Sequence, residues 1–256
     1  MATSDDRVLD LLHEAATAVR LVLDGLDDWG PSGGKAGQYL SDLAADEAAL
    51  EVLEEGGVGV LSEESGLHRP DRDVVVVLDP LDGSTNAARG IPWFATSLCA
   101  VDADGPLAAL VVDLPHGRTF AAVRDGGASV DGEPLRASGC TEVGEALVGI
   151  SGFPAVPLGW RQFRTLGAAA LDLCAVAEGT LDAFVDCSPS AHGPWDYLGG
   201  ALVCAEAGAP VVDALGRELA VLDADARRTP VAAATRPLLD ALVEARRDAV
   251  DDDPAA

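Results

Sequence analysis

The sequence predicts a layered α/β protein. Three observations lead there. Amphipathic helical patterns open each half of the chain, and strand-like segments follow them. Val74–Leu78 is an uninterrupted apolar run of β-branched character, which reads as a strand buried on both faces at the centre of a sheet. Three apolar segments, 94–101, 107–113 and 119–123, are separated by Asp, Gly and Pro turns, the pattern of an antiparallel meander.

The elements follow in order. Ser4 to about Asp28 reads as a helix, with Ser4 as its cap and Val8, Leu11, Leu12, Ala15, Val19 and Val22 at helical spacing. Trp29-Gly30-Pro31-Ser32-Gly33-Gly34 breaks it. A second helix, Leu43 to about Glu55, turns Leu43, Leu50 and Leu53 inward. A short strand spans 58–61, and the central strand then runs to Pro80, whose missing N–H ends the ladder. After the meander come a Gly-rich turn at 126–135 and a strand at 147–150. An irregular stretch, 151–163, contains Pro154, Pro157 and Gly159. An Ala-rich helix from Leu166 to Glu178 stops at Gly179. A strand (181–186), a helix (195–207), two strands (210–212 and 231–234) and a closing helix (236–248) complete the chain. We expect one domain, 1–250, of two lobes divided near residue 150, and a disordered acidic tail, 251–256.

Composition narrows the function. A formal charge of −26 argues against nucleic acid and anionic membrane as partners. Lys35 is the only lysine. An acidic, lysine-poor surface suits molar salt, where screening acts over about 3 Å. No apolar run approaches the roughly 18 residues that span a bilayer, and residues 1–6 lack the pattern of a secretory signal. Cys99, Cys140, Cys174, Cys187 and Cys204 are odd in number and scattered, as expected of reduced thiols in a cytoplasmic protein.

The chemistry lies at the end of the central strand, in Asp79-Pro80-Leu81-Asp82-Gly83-Ser84-Thr85-Asn86. Two carboxylates this close repel unless a cation or proton lies between them. Hard oxygen ligands suit Mg²⁺, and the adjoining hydroxyls and free N–H groups suit a phosphate. Together they make a phosphoryl-transfer site. The same residues also compose an ordinary Asp-Pro turn and helix start, so the rest of the chain must decide.

Residues 79–86 resemble the DPxDGTxN signature of the inositol monophosphatase family, Mg²⁺-dependent phosphatases, with Ser84 in place of the commoner Thr. Gly193-Pro194-Trp195-Asp196 opening a Gly/Ala-rich helix resembles the family's Trp-Asp signature, and Leu61-Ser62-Glu63-Glu64 its Glu-Glu pair. The resemblance implies an α-β-α-β-α sandwich with the site between two lobes, and a homodimer. It implies two or three Mg²⁺ ions held by Glu64, Asp79, the Leu81 carbonyl, Asp82 and Asp196, with Asp46 an outer ligand of a third ion. Glu64 and Ser84 would activate water beside Asp82. Gly83, Ser84 and Thr85 would grip phosphate. Lys35 would lie at the mouth of the site, and Asp186 would accept hydrogen bonds from substrate hydroxyls. Glu63 would be solvated or support the metal ligands from behind, and His192 reads as an exposed loop residue. Arg161 and Arg164 are further candidates for a substrate anion.

The implied reaction is hydrolysis of a phosphate monoester of a small polyol or sugar. Inositol-1-phosphate and fructose-1,6-bisphosphate lead; histidinol phosphate and 3'-phosphoadenosine 5'-phosphate are alternatives. A regulatory binding protein that kept the fold without catalysis is the rival reading.

Overall fold

The computed structural model describes residues 4–35, 37–187 and 192–251. Helices α1 (Ser4–Asp24) and α2 (Leu40–Glu55) lie against a sheet of eight strands. These are β1 (Gly59–Ser62), β2 (Gly66–His68), β3 (Val75–Asp82), β4 (Ala95–Asp102), β5 (Gly105–Asp113), β6 (Arg118–Val123), β7 (Gly127–Val130) and β8 (Glu133–Pro134). Their order is β2-β1-β3-β4-β5-β6-β7-β8, and only the β1–β3 pair is parallel. A short helix, α3 (Ser84–Arg89), follows β3. The second sheet contains β9 (Leu147–Ser151), β10 (Gln162–Arg164), β11 (Ala183–Asp186), β12 (Val211–Asp213) and β13 (Pro230–Ala233), in the order β10-β9-β11-β13-β12. Helices α4 (Ala169–Glu178) and α5 (Pro194–Glu206) lie between the sheets, and α6 (Arg236–Asp251) covers the far face of the second.

Side-chain alternation along β3 explains the layering. Val76 and Leu78 pack with Leu12, Ala15 and Val19 of α1 and Leu53 of α2. Val75 and Val77 point the other way, toward Leu173 of α4 and Leu198 and Val203 of α5. A strand sandwiched between helices must be apolar on both faces, which is why the run is unbroken. On the second sheet, Val148, Ile150, Val185 and Val231 meet Leu238, Leu239 and Leu242 of α6. The result is the α-β-α-β-α sandwich. The central helices pack closely because of two glycines. A Cβ on Gly200 would stand 2.6 Å from Leu173 Cβ, and one on Gly199 would stand 2.7 Å from Ser97 Oγ.

Several local expectations change. β3 does not end at Pro80 but continues to Asp82. Its pairing with β4 shifts between Asp79 and Asp82, and this bulge accommodates a residue without an N–H. The Pro80 carbonyl still accepts a hydrogen bond, from Thr96 Oγ1 at 3.0 Å. α2 starts three residues before the expected Leu43, which leaves Leu43 42% exposed on its outer face. α6 extends through Asp251; the rest of the expected tail, and the Ser4 side chain, lie outside the described residues. All five cysteines are free, with Cys99, Cys174 and Cys204 buried. No described helix is long and apolar enough to cross a membrane.

Candidate active site

The site forms where β1 and β3 end beside the start of α5. Asp79 continues the face of Val75 and Val77, so it points inward toward α5 and is 1% exposed. Its Oδ1 accepts the Leu81 N–H at 3.0 Å. Asp82 is 8% exposed, and its Oδ2 accepts the Ala170 N–H of α4 at 2.7 Å. Asn86 joins the same two regions, because its Nδ2 donates to the carbonyls of Trp93 and Leu166, each at 2.8 Å.

The acidic residue that meets Asp79 is Glu63, not Glu64. The parallel β1–β3 ladder pairs Ser62 with Leu78, and the Glu63 N–H donates to the Leu78 carbonyl at 3.1 Å. One further step of that register sets Glu63 beside Asp79. Oxygens of Glu63, Asp79 and Asp196 all lie within 4.8 Å of one another. At Glu64 the chain turns away: its N–H is held by Ser62 Oγ at 3.1 Å, and its carboxylate accepts from the Gln38 amide. Glu63 is exposed to solvent, as the sequence suggested, yet it and not Glu64 is the glutamate whose carboxylate reaches Asp79 and Asp196.

Asp196 stands in the first turn of α5, after Pro194 at the start of the helix. Its Oδ2 accepts the Gly193 N–H at 2.7 Å and lies 3.3 Å from His192 Nδ1. The His192 side chain is only 13% exposed. The expectation of an exposed loop histidine fails because His192 pairs as an isolated bridge with Arg228, which draws it inward.

α2 brings a further carboxylate to the site. Because the helix starts at Leu40, the carboxylate brought to the site is that of Asp42, which is 3% exposed. Asp42 accepts the Tyr39 N–H at 2.8 Å and interacts with the Ser84 hydroxyl and the Glu64 charge. Asp46, one turn later, instead accepts a hydrogen bond from Ser62 Oγ. The Tyr39 hydroxyl lies 3.3 Å from Thr85 Oγ1. Gly83 takes φ +83°, and no side chain caps the α3 N–H groups beyond it. Lys35 Nζ donates to the Glu64 carbonyl at 3.0 Å.

The electrostatics test whether a cation fits. Burial raises the pKa of Asp79 far above the carboxylate range, and the charges of Glu63, Asp82 and Asp196 add to it. Asp82 is raised likewise by burial and by Asp196. Glu63 moves from its ordinary 4.5 to about 8 through loss of solvent in the cleft and the charges of Asp196, Glu64 and Asp42. Burial, aided by Glu64, lifts Asp42 to about 6 against the Tyr39 N–H and the Ser84 hydroxyl. Crowded, all-oxygen donors of one sign suit a hard divalent cation.

Comparison with known proteins decides the family. The model of the inositol monophosphatase family matches residues 40–251. The chain belongs to the inositol monophosphatase family. It is 35% identical over 210 residues to the fructose-1,6-bisphosphatase/inositol-1-monophosphatase of Thermococcus kodakarensis, covering 81% of this chain and 82% of that protein. It is 33% identical over 190 residues to the Nus factor SuhB of Pasteurella multocida, covering 67% and 70%. The structure of inositol monophosphatase from Anabaena superposes with a TM-score of 0.81 at 26% identity, covering 96% of this chain and 97% of that one.

As an inositol monophosphatase family member the chain is a phosphatase, and the family uses divalent metal ions. Beside the carboxylates lies a hollow of about 340 Å³, lined among others by Asp82, Ser151, Thr165, Asp172, His192 and Asp196. Asp186 does not line it. That residue is fully buried at the end of β11, with its Oδ2 3.9 Å from His192 Nε2 and its carbonyl held by Arg246 Nε at 2.6 Å. Arg161 and Arg164 are exposed and line no part of the hollow. A carboxyl that does, besides Asp82 and Asp196, is Asp172, 2% exposed, with Oδ1 held by Trp93 Nε1 at 3.0 Å. Burial lifts Asp172 to about 8. An Asp between Leu171 and Leu173, in a helix whose other charged residue is the terminal Glu178, was the available signal for it.

Proposed function

We propose that the chain hydrolyses the phosphate monoester of a small polyol or sugar, with inositol-1-phosphate and fructose-1,6-bisphosphate as the leading substrates. The convergence of Glu63, Asp79 and Asp196 on one point, with Asp82 alongside, carries this reading. Glu63, Asp79, Asp82, Asp196 and the Leu81 carbonyl would hold two or three Mg²⁺ ions. Bound Mg²⁺ supplies Lewis-acid polarisation of the phosphoryl group and lowers the pKa of a coordinated water.

The chain's own groups divide the remaining work. The Ser84 hydroxyl, with Asp42 behind it, orients the attacking water and passes its proton toward a carboxylate. Gly83, Ser84 and Thr85 present N–H and hydroxyl donors to the phosphate oxygens. The alcohol of the ester occupies the hollow lined by Asp82, Thr165, Asp172 and His192. Asp186 acts from behind, by fixing the edge of that hollow. The names of the archaeal relatives favour the two leading substrates.

A regulatory role is the second reading, favoured by the relatives named Nus factor SuhB. Phosphate release from inositol-1-phosphate, fructose-1,6-bisphosphate, histidinol phosphate and 3'-phosphoadenosine 5'-phosphate, with and without Mg²⁺, separates the two. Mg²⁺-dependent release from at least one ester supports the enzyme reading, and none from any supports the regulatory one. The expected homodimer would be seen by light scattering.

A further inference from the structure

A second hollow, of about 410 Å³, opens on the Glu63 side of the carboxylates and shares no lining residue with the first. Lys35, Glu63, Glu64, Ser65, Trp195 and Arg227 are among the groups that line it. Arg227 is held in place. Its guanidinium lies over the Trp195 ring, 5.4 Å from the centroid, and its Nη1 donates to the carbonyls of Ala224 and Ala226 at 2.9 and 2.8 Å.

Charge makes this placement notable. The chain has 43 acidic and 17 basic residues, and several of its arginines bind carboxylates: Arg69 to Glu54, Arg118 to Glu178, Arg124 to Asp102 and Arg217 to Asp213. Lys35 and Arg227, like Arg228, are held by backbone carbonyls, and these two line the hollow. Two cations with donors to spare thus face one cavity beside the candidate metal centre. A tetrahedral oxyanion is the ligand that such donors match. Glu63 and Glu64 line the same hollow and repel an anion, so occupancy requires Glu63 to be neutralised by a divalent cation.

We propose that this hollow is an oxyanion site, held by Lys35 and Arg227, that receives the phosphate dianion after hydrolysis. This rests on the reading of the carboxylates as the hydrolytic centre. The alcohol leaves through the hollow on the Asp82 side, and phosphate moves to the Glu63 side.

The test is calorimetric titration of inorganic phosphate into the Mg²⁺-loaded protein, which reads binding without turnover. We expect saturable binding that weakens at least about tenfold in Arg227→Gln, the loss expected for one charge-assisted hydrogen bond. Arg227→Lys, which keeps the charge, should recover part of it. In the steady state, the inhibition constant for phosphate should rise in Arg227→Gln more than the KM of a monophosphate ester does. Equal phosphate affinity in wild type and Arg227→Gln, or equal loss in the Lys and Gln variants, overturns the proposal. So does a KM increase confined to a bisphosphate ester, which would assign the site to a substrate's second phosphate. Should no ester be hydrolysed, the titration still decides the oxyanion site, so the two readings fail separately.

Discussion

His192 Nδ1 lies 3.3 Å from Asp196 Oδ2, and the neighbouring Gly193 N–H reaches the same oxygen at 2.7 Å. Two donors on one oxygen fix the rotation of the carboxylate and direct it at Glu63 and Asp79. Groups that orient a metal-binding side chain in this way affect metal affinity without touching the metal.

His192→Phe should therefore raise the Mg²⁺ concentration for half-maximal activity by about 10–100-fold, with most of kcat recovered at saturating metal. A metal titration of activity checks this. A shift below twofold would show that Gly193 alone positions Asp196.

The neighbouring glutamates give a sharper contrast. If Glu63 holds metal as proposed, Glu63→Gln should lower kcat/KM by at least about 100-fold. Glu64→Gln, which removes a charge paired with the Gln38 amide, should change it by far less. The opposite order would mean that the register of β1 against β3 differs from that described.

The contrast also shows where reading the sequence stops. The layers were legible because periodicity and the buried run at 74–78 report burial directly, and the Asp79–Asn86 knot stood out by composition. Seeing that Glu63 reaches Asp79 needed the pairing of Ser62 with Leu78, a long-range register that no local pattern encodes. Seeing that Asp42 lies beside Ser84 needed the start of α2, and Leu40 and Leu43 start equally plausible apolar patterns. His192 was hidden for a similar reason: its bridge to Arg228 joins residues far apart in the chain.

The crowded carboxylates predict how stability depends on pH. A carboxyl whose native pKa exceeds its unfolded value binds more protons when folded, so stability falls as pH rises through that interval. The interval is about 4.5 to 8 for Glu63 and 3.8 to about 6 for Asp42. Asp172 acts over 3.8 to about 8. The urea midpoint of the metal-free protein should thus decline from pH 4.5 to 8, and saturating Mg²⁺ should flatten the decline by replacing protons at Glu63, Asp79 and Asp82. A flat metal-free profile would contradict this account of the site.

Packing between α4 and α5 gives a test independent of the chemistry. Gly200→Ala would place a Cβ 2.6 Å from Leu173 Cβ and 2.9 Å from the Ala170 carbonyl. The helices must separate, and we expect a loss of about 1–3 kcal/mol, typical of overpacking. Denaturant unfolding measures it. Because Ala170 also donates to Asp82, activity should fall as well.

Calorimetric titration of the metal-free protein with Mg²⁺, comparing wild type with Asp79→Asn, tests the shared cation site most directly. We predict saturable binding with proton release in wild type, and affinity at least about tenfold weaker in the variant. Equal binding by the two proteins would contradict the site.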